Sequence, residues 1–183
     1  MLVNYSQEWA ESFSRERALL LRALEPWLAA DVEHVGSTAV PGMSAKPVID
    51  MLAGVSDLTE ARRAAGPLLE LEYHYRPHRP EAHLFEKPHV GDWRGQTHHL
   101  HLTEPGSDLW RERLAFRDAL REDAALVVEY NNWKTQHVLD EAEGPYAASK
   151  RPFVLRVLAA RDIALKPDEH RLVAPIDGDG GVE

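Results

Sequence analysis

Residues 32–52 read VEHVGSTAVPGMSAKPVIDML, and this stretch decides the fold class of the chain. It begins in a short apolar pattern at residues 31–35, which stops at Gly36. It ends in a nearly continuous apolar pattern at residues 47–53 that contains one carboxylate, Asp50. Apolar runs of this length, bounded by glycine and proline, are typical of strands in a sheet. We therefore predict two strands joined by an eleven-residue loop.

The rest of the chain predicts one α/β (α+β) domain, a mixed β-sheet flanked by helices with a C-terminal helical group. A first helix is predicted within residues 8–28, interrupted or ended around Pro26, and a second at residues 58–71. Three further strands are predicted at residues 72–75, 82–87 and 98–103. Three C-terminal helices are predicted at residues 107–122, 124–139 and 146–160, the first with Ser107 and Asp108 as its N-terminal cap. The domain covers residues 1–165, and residues 166–183 lack apolar periodicity, so we expect them to form a loosely ordered tail.

The composition narrows the classes of function. The 183 residues carry 21 basic and 30 acidic side chains, a formal net charge of −9, and no cysteine. Disulfides, thiolate metal centres and cysteine nucleophiles are therefore excluded, and the acidic balance argues against nucleic acid as a partner. The longest apolar stretches are too short for a membrane helix. We expect a soluble, cytoplasmic protein with a small-molecule or nucleotide ligand, and the sequence does not determine the oligomeric state.

The turn after the first strand has the composition of a phosphate-binding loop. Gly36 allows a ligand to approach the backbone closely, and the hydroxyls of Ser37 and Thr38 are suited to donate hydrogen bonds to phosphate oxygens. Lys46, at the end of the same loop, is a further candidate for a phosphate contact. The alternative is a tight connection in which the glycines serve only backbone geometry.

Asp50 is a charged residue in an apolar strand. An ionised carboxylate is costly to bury without a metal or a hydrogen-bonded partner. We therefore predict that Asp50 holds Mg²⁺ or Mn²⁺ and faces the turn at Gly36 and Ser37. The alternative is a structural aspartate that pairs with His34, Lys46 or an arginine.

These motifs resemble the GrpB family, whose fold is similar to that of the nucleotidyltransferase superfamily. The resemblance covers about residues 3–160 and rests on residues 33–42, 45–50, 100–102 and 116–118, on Tyr130 with Lys134, and on Tyr146 with Lys150. It implies that Gly36 and Ser37 hold nucleotide phosphates and that Asp50 is the first metal-binding carboxylate. The second carboxylate position of the superfamily falls at Leu52, so the resemblance does not extend to a full two-metal site.

Two histidines on the strand at residues 98–103 offer a different kind of metal site. Strand alternation places Leu100 and Leu102 on one face and His99 and His101 on the other. With Asp50 on an adjacent strand, the imidazoles complete a two-histidine, one-carboxylate set suited to Zn²⁺, Mn²⁺ or Fe²⁺. The alternative is a solvated strand face.

Cations in the C-terminal third are candidates for neutralising a phosphorylated ligand. Arg117 shares a helical stripe with Arg113 and Arg121, while Lys134 and Lys150 each lie four residues after a tyrosine. We assign Arg117 and Lys134 to phosphate binding and Lys150 to catalysis. The alternatives are a solvated helix face for the arginines and snorkelling past the edge of the core for the lysines.

Three functions follow from these residues. The first is a nucleotidyltransferase-like reaction on an NTP with a divalent metal, in which Asp50 and Lys150 are catalytic and the acceptor is unknown. The second is a catalytically incomplete domain that binds a nucleotide or another phosphorylated ligand and accompanies a partner enzyme, which Leu52 favours. The third is a mononuclear metal enzyme built on Asp50, His99 and His101.

Overall fold

The computed structural model describes residues 2–77, 79–88, 95–137 and 150–165. These residues contain five strands: β1 (Leu28–Val35), β2 (Ile49–Val55), β3 (His74–Arg76), β4 (His83–Lys87) and β5 (His98–Thr103). They also contain five α-helices: α1 (Glu8–Ala23), α2 (Ala65–Glu70), α3 (Asp108–Glu122), α4 (Ala124–His137) and α5 (Arg151–Ala159). Two short 3₁₀ helices cover Ser37–Ala39 and Glu60–Ala64. None of the helices in this part of the chain is both long and apolar enough to cross a bilayer.

The five strands form one mixed sheet in the order β1-β2-β5-β4-β3, which confirms the predicted fold class. β2 and β5 are parallel, and the other neighbours are antiparallel. Asp50 on β2 pairs with Val35 on β1 and with His99 on β5. Asp50 therefore lies on an interior strand of the sheet, with β1 on one side and β5 on the other.

The two faces of the sheet differ in what covers them. On the first face, Met51 and Ala53 of β2 and Leu100 of β5 pack with apolar residues of α1 and α2 in the largest core cluster. On the second face, Leu52 packs with Leu109 of α3. His99 and His101 alternate with the buried leucines of β5 and share the second face with Asp50, as the sequence predicts.

The C-terminal helices pack on the loop between β1 and β2. Val40 and Met43 of this loop share a core cluster with aromatic residues of α3, α4 and α5. The ring of Tyr130 lies 5.3 Å from that of Phe116 and 4.8 Å from that of Phe153, between centroids. This packing holds the loop against the second face of the sheet, so the loop and Asp50 keep a defined relative position.

Several predicted boundaries are confirmed by the structure. β5 covers the predicted residues 98–103, and α3 begins directly after its predicted N-cap, because the Ser107 hydroxyl accepts a hydrogen bond of 3.2 Å from the Trp110 amide. Pro152 lies in the first turn of α5, where its missing amide costs no helical hydrogen bond. The predictions for residues 138–149, including Tyr146, and for the tail at 166–183 lie outside the described residues.

Other predicted boundaries are wrong, each for a local reason. α1 ends at Ala23, slightly before the predicted end around Pro26, since Leu28 already belongs to β1. β2 begins at Ile49 rather than at residue 47, because the Val48 amide is hydrogen-bonded within the loop to the Lys46 carbonyl. The predicted helix at 58–71 is a 3₁₀ helix followed by the short helix α2, since Pro67 lacks an amide and is tolerated only in a first turn.

Gly36 occupies the tightest point of the fold, where β1 meets the loop. Its φ of 72° lies in the left-handed region that side chains disfavour. A Cβ atom at this position would lie 2.4 Å from Oδ2 of Asp50, so glycine is required both by the backbone and by the neighbouring carboxylate. Gly42 in the same loop has a similar φ of 78°, but among the described residues, its chain neighbours apart, no heavy atom lies within 4 Å of its hypothetical Cβ.

The two glycines give a matched stability test. We expect Gly42→Ala to lower the free energy of unfolding by about 1–2 kcal/mol, from backbone strain alone. Gly36→Ala adds the overlap with Asp50 and is expected to cost roughly 1–3 kcal/mol more. Urea titrations of both variants measure the difference. Equal losses would show that the carboxylate does not pack against Gly36.

Candidate functional site

The loop after β1 is locked by its own side chains. The Thr38 hydroxyl donates a hydrogen bond of 3.2 Å to the Val48 carbonyl and lies 3.1 Å from Nε2 of His34. Burial lowers the pKa of His34 to about 4, so its ring is neutral and donates from Nε2 to Thr38. The hydroxyl of Thr38, predicted as a phosphate contact, is therefore engaged in holding the loop.

Asp50 is ionised and faces a histidine. Its side chain is 30% exposed, and its Oδ1 lies 3.2 Å from Nδ1 of His99. Burial opposes ionisation, but the His99 hydrogen bond and the positive charges of His99, Arg113 and His101 outweigh it and lower the pKa of Asp50 to about 2. His99 has the complementary shift, because Asp50 raises its pKa against the effect of burial.

Two adjoining pockets share Ser37, Asp50, Tyr130 and Lys150. The first, here called the Arg113 pocket, has a cavity volume of about 80 Å³ and is also lined by Gly36, Glu112, Arg113, Phe116, Arg117, Leu120 and Val154. The second, the Lys134 pocket, has a volume of about 180 Å³ and is also lined by Leu2, Thr38, Ala45, Lys46, Val48, His99 and Lys134. The loop, β2 and the C-terminal helices thus enclose one continuous region around Asp50.

Two lysines converge on this region. Lys134 is only 2% exposed, and its ammonium donates to the Ser44 carbonyl and, over 3.4 Å, to the Ser37 hydroxyl. Burial, with a contribution from Lys150, lowers the pKa of Lys134 to about 7. Burial and Arg113 lower the pKa of Lys150 to about 8, although Asp50 acts in the opposite direction. For both lysines, the nearby negative charge is therefore too small to offset the cost of burying an ammonium group.

The three arginines in one stripe of α3 differ in their contacts. Arg117 pairs with Glu33 at 2.6 Å and with Asp118 at 2.7 Å, and Arg121 donates to the Ala39 carbonyl at 2.9 Å. The assignment of Arg117 to phosphate binding is therefore not favoured by its contacts, since its charge is already neutralised. Arg113 and Arg117 both line the Arg113 pocket, but Arg113 has a buried Nε without a hydrogen-bond partner among the described residues.

The residues around Asp50 do not fit a metal centre. No group of three or more histidine, aspartate or glutamate side chains within the described ranges is arranged to hold a metal ion. Leu52, at the second carboxylate position, is fully buried against Leu109. The ring nitrogens of His99 lie at hydrogen-bonding distance from Asp50 and, at 2.7 Å, from Gln96, so neither is directed at an open coordination site.

Sequence reasoning found most of this site and missed part of it. The residues that the sequence singles out and that the structure brings together around the two pockets are Gly36, Ser37, Thr38, Lys46, Asp50, His99, Arg117, Lys134 and Lys150. His101 pairs with Leu52 in the strand register and lines neither pocket. Arg113 was indicated only as one of three equivalent arginines, and the roles of Gln96 and Glu112 had no signal in the sequence.

Known proteins share both the sequence and the fold. The profile of the GrpB protein family matches residues 1–160. A UPF0157 protein of Streptomyces coelicolor is 38% identical over 133 residues, which cover 73% of this chain and 67% of that protein. The glutamate-rich protein GrpB of Alkalihalophilus pseudofirmus is 30% identical over 163 residues, which cover 86% of this chain and 93% of the relative.

The same similarity appears in three dimensions. The crystal structure of the conserved protein GrpB from Enterococcus faecalis superposes with a TM-score of 0.77 and 26% identity. The alignment covers 87% of this chain and 96% of that one. With the profile match over residues 1–160, these likenesses show that the chain belongs to the GrpB family.

Proposed function

We propose that this protein binds the phosphate group of a small phosphorylated ligand in the region around Asp50. The observation that carries the proposal is the buried Nε of Arg113, which lines the Arg113 pocket and has no hydrogen-bond partner among the described residues. A buried donor without an acceptor costs about 1–3 kcal/mol. A ligand oxygen in the pocket would satisfy it.

The charges around the pockets favour a dianion. Arg113, Lys134 and Lys150 line them, while Asp50 is already compensated by His99. Glu112, the other carboxylate in the lining, pairs with Arg151 at 2.5 Å. The remaining charge is therefore positive, and phosphate groups are the usual anions bound by such combinations of guanidinium, ammonium and loop amides.

The loop adds a hydroxyl donor at the boundary of the two pockets. The Ser37 oxygen accepts from Lys134, so its own proton is available to an oxygen of the ligand. The cavity volumes of about 80 and 180 Å³ are smaller than the roughly 300–1,000 Å³ typical of pockets for drug-sized molecules. A phosphate group with a small attached moiety fits this space. Nucleotides are larger, and their affinity is to be compared with that of inorganic phosphate.

Binding without transfer accounts for the residues better than catalysis does. The family resemblance implies a nucleotidyltransferase-like reaction, which needs metal ligands beyond Asp50. Leu52 fills the second carboxylate position, and the donor set around Asp50 does not form a metal centre in the described residues. Asp50 and Lys150 are therefore proposed as binding residues, and the dependence of ligand affinity on Mg²⁺ or Mn²⁺ tests the metal directly.

Arg113→Met is expected to weaken phosphate binding about 10- to 100-fold, because it removes a hydrogen bond to a charged group. Its free energy of unfolding should change little, since the loss of a buried donor without an acceptor offsets the loss of the favourable charge beside Asp50 and Glu112. Calorimetric titrations with inorganic phosphate and with ATP, in chelator, measure the affinity.

Arg111→Met is the matched control for Arg113→Met. Arg111 is on the same helix, is exposed and pairs with Asp108, outside both pockets. We expect it to bind phosphate with the affinity of the parent. Equal affinities for Arg113→Met and the parent, or no binding of either ligand by the parent, would contradict the proposal.

Phosphate binding is also expected to depend on pH through the two lysines. Their pKa values of about 7 and 8 in the free protein mean that both are largely neutral at pH 9. A bound dianion favours the ammonium forms, so binding at pH 8 takes up protons and the affinity falls between pH 7 and pH 9. Titrations in buffers of different ionisation enthalpy measure the proton uptake, and zero uptake or proton release would contradict this assignment.

A further inference from the structure

A chain of hydrogen-bonded side chains crosses the second face of the sheet and ends at Asp50. Glu86 on β4 is directly opposite His99 on β5, which is directly opposite Asp50 on β2. Gln96, two residues before β5, connects Glu86 to His99. Its Nε2 donates to Oε2 of Glu86 over 2.8 Å, and its Oε1 lies 2.7 Å from Nε2 of His99. Glu86 and Gln96 are both buried.

The chemistry of these groups fixes the direction of every hydrogen bond. A carboxylate only accepts, so the Gln96 atom that faces Glu86 is the amide nitrogen, and its oxygen faces His99. The Nε2 atom of His99 must then carry a proton and donate it to Gln96. Asp50 also only accepts, so Nδ1 of the same ring carries a proton as well.

The outer end of the chain is anchored by an ion pair. Arg76 on the edge strand β3 donates to Oε1 of Glu86 over 2.7 Å, which leaves Oε2 for Gln96. The Gln96 amide therefore has one favourable orientation, because a rotation by 180° would bring two acceptors together at Glu86 and two donors together at His99. A buried glutamate and a buried glutamine thus together orient one histidine.

We propose that Gln96 is a positioning residue that holds His99 as a doubly protonated ring against Asp50, an inference that rests on the proposed phosphate-binding function. The imidazolium offsets the carboxylate charge in the wall of the Lys134 pocket, where an uncompensated aspartate would repel a phosphate group. It also holds the carboxylate in place beside Gly36. Gln96 lines neither pocket and acts only through His99.

The test combines a spectroscopic signal with ligand affinity. Selectively ¹⁵N-labelled histidine in the full chain is expected to show two hydrogen-bonded ring N–H signals for His99 without any ligand. Gln96→Leu removes the acceptor of Nε2, so one of the two signals should disappear. Its affinity for inorganic phosphate should fall about 10-fold, as is usual when a residue that orients a ligand-site histidine is lost.

Two further variants separate positioning from general damage. The exchange Glu86→Gln with Gln96→Glu keeps an amide nitrogen facing a carboxylate and a carboxylate facing His99, so both ring signals and the affinity should return. Thr97→Val changes the neighbouring residue, whose hydroxyl contacts Lys87 and His98 rather than His99, and is expected to match the parent.

The outcomes distinguish this inference from the function on which it rests. A single hydrogen-bonded ring N–H for His99 in the parent would overturn the inference even if phosphate binds. Loss of the signal in Gln96→Leu with unchanged phosphate affinity would overturn it too. Two ring signals in a parent that binds no phosphate would contradict the proposed function and leave His99 with a role in the sheet alone.

Discussion

The site depends on an ionised carboxylate in the middle of a largely buried sheet. Asp50 has a strand on each side, and only Gly36 lets the loop after β1 approach it so closely. An ionised group in this position has to be compensated by charges and hydrogen bonds, because the surrounding protein screens it less than water does. The strand register supplies His99 directly opposite, and β5 continues this alternation of histidine and leucine.

The helices then surround the carboxylate with more positive charge than it needs. The aromatic packing of α3, α4 and α5 on the loop brings Arg113, Lys134 and Lys150 to the same region. The lowered pKa values of the two lysines and the unpaired Nε of Arg113 both indicate this excess of positive charge. Such an arrangement is unfavourable for the free protein and favourable for an anion complex, as is common where binding is selected over stability.

Sequence patterns were sufficient wherever a local rule determined the structure. Alternation placed His99 and His101 opposite the leucines, and the Ser107 cap marked the start of α3. Sequence patterns were insufficient where a residue distant in the chain decides which contact a side chain makes. Arg113 and Arg117 lie in the same stripe of the helix, and the ion pair of Arg117 with Glu33 forms because β1 places Glu33 beside it. The contact between Gln96 and Glu86 likewise depends on the pairing of β4 with β5.

The most direct test of the account is the phosphate affinity of Asp50→Asn in chelator and in Mg²⁺. If His99 compensates Asp50 beside a phosphate site, removing the negative charge of Asp50 should leave the affinity equal to that of the parent or higher, with no dependence on Mg²⁺ in either protein. If Asp50 is instead a metal ligand, the parent should require Mg²⁺ and Asp50→Asn should lose binding. That second result would contradict the account.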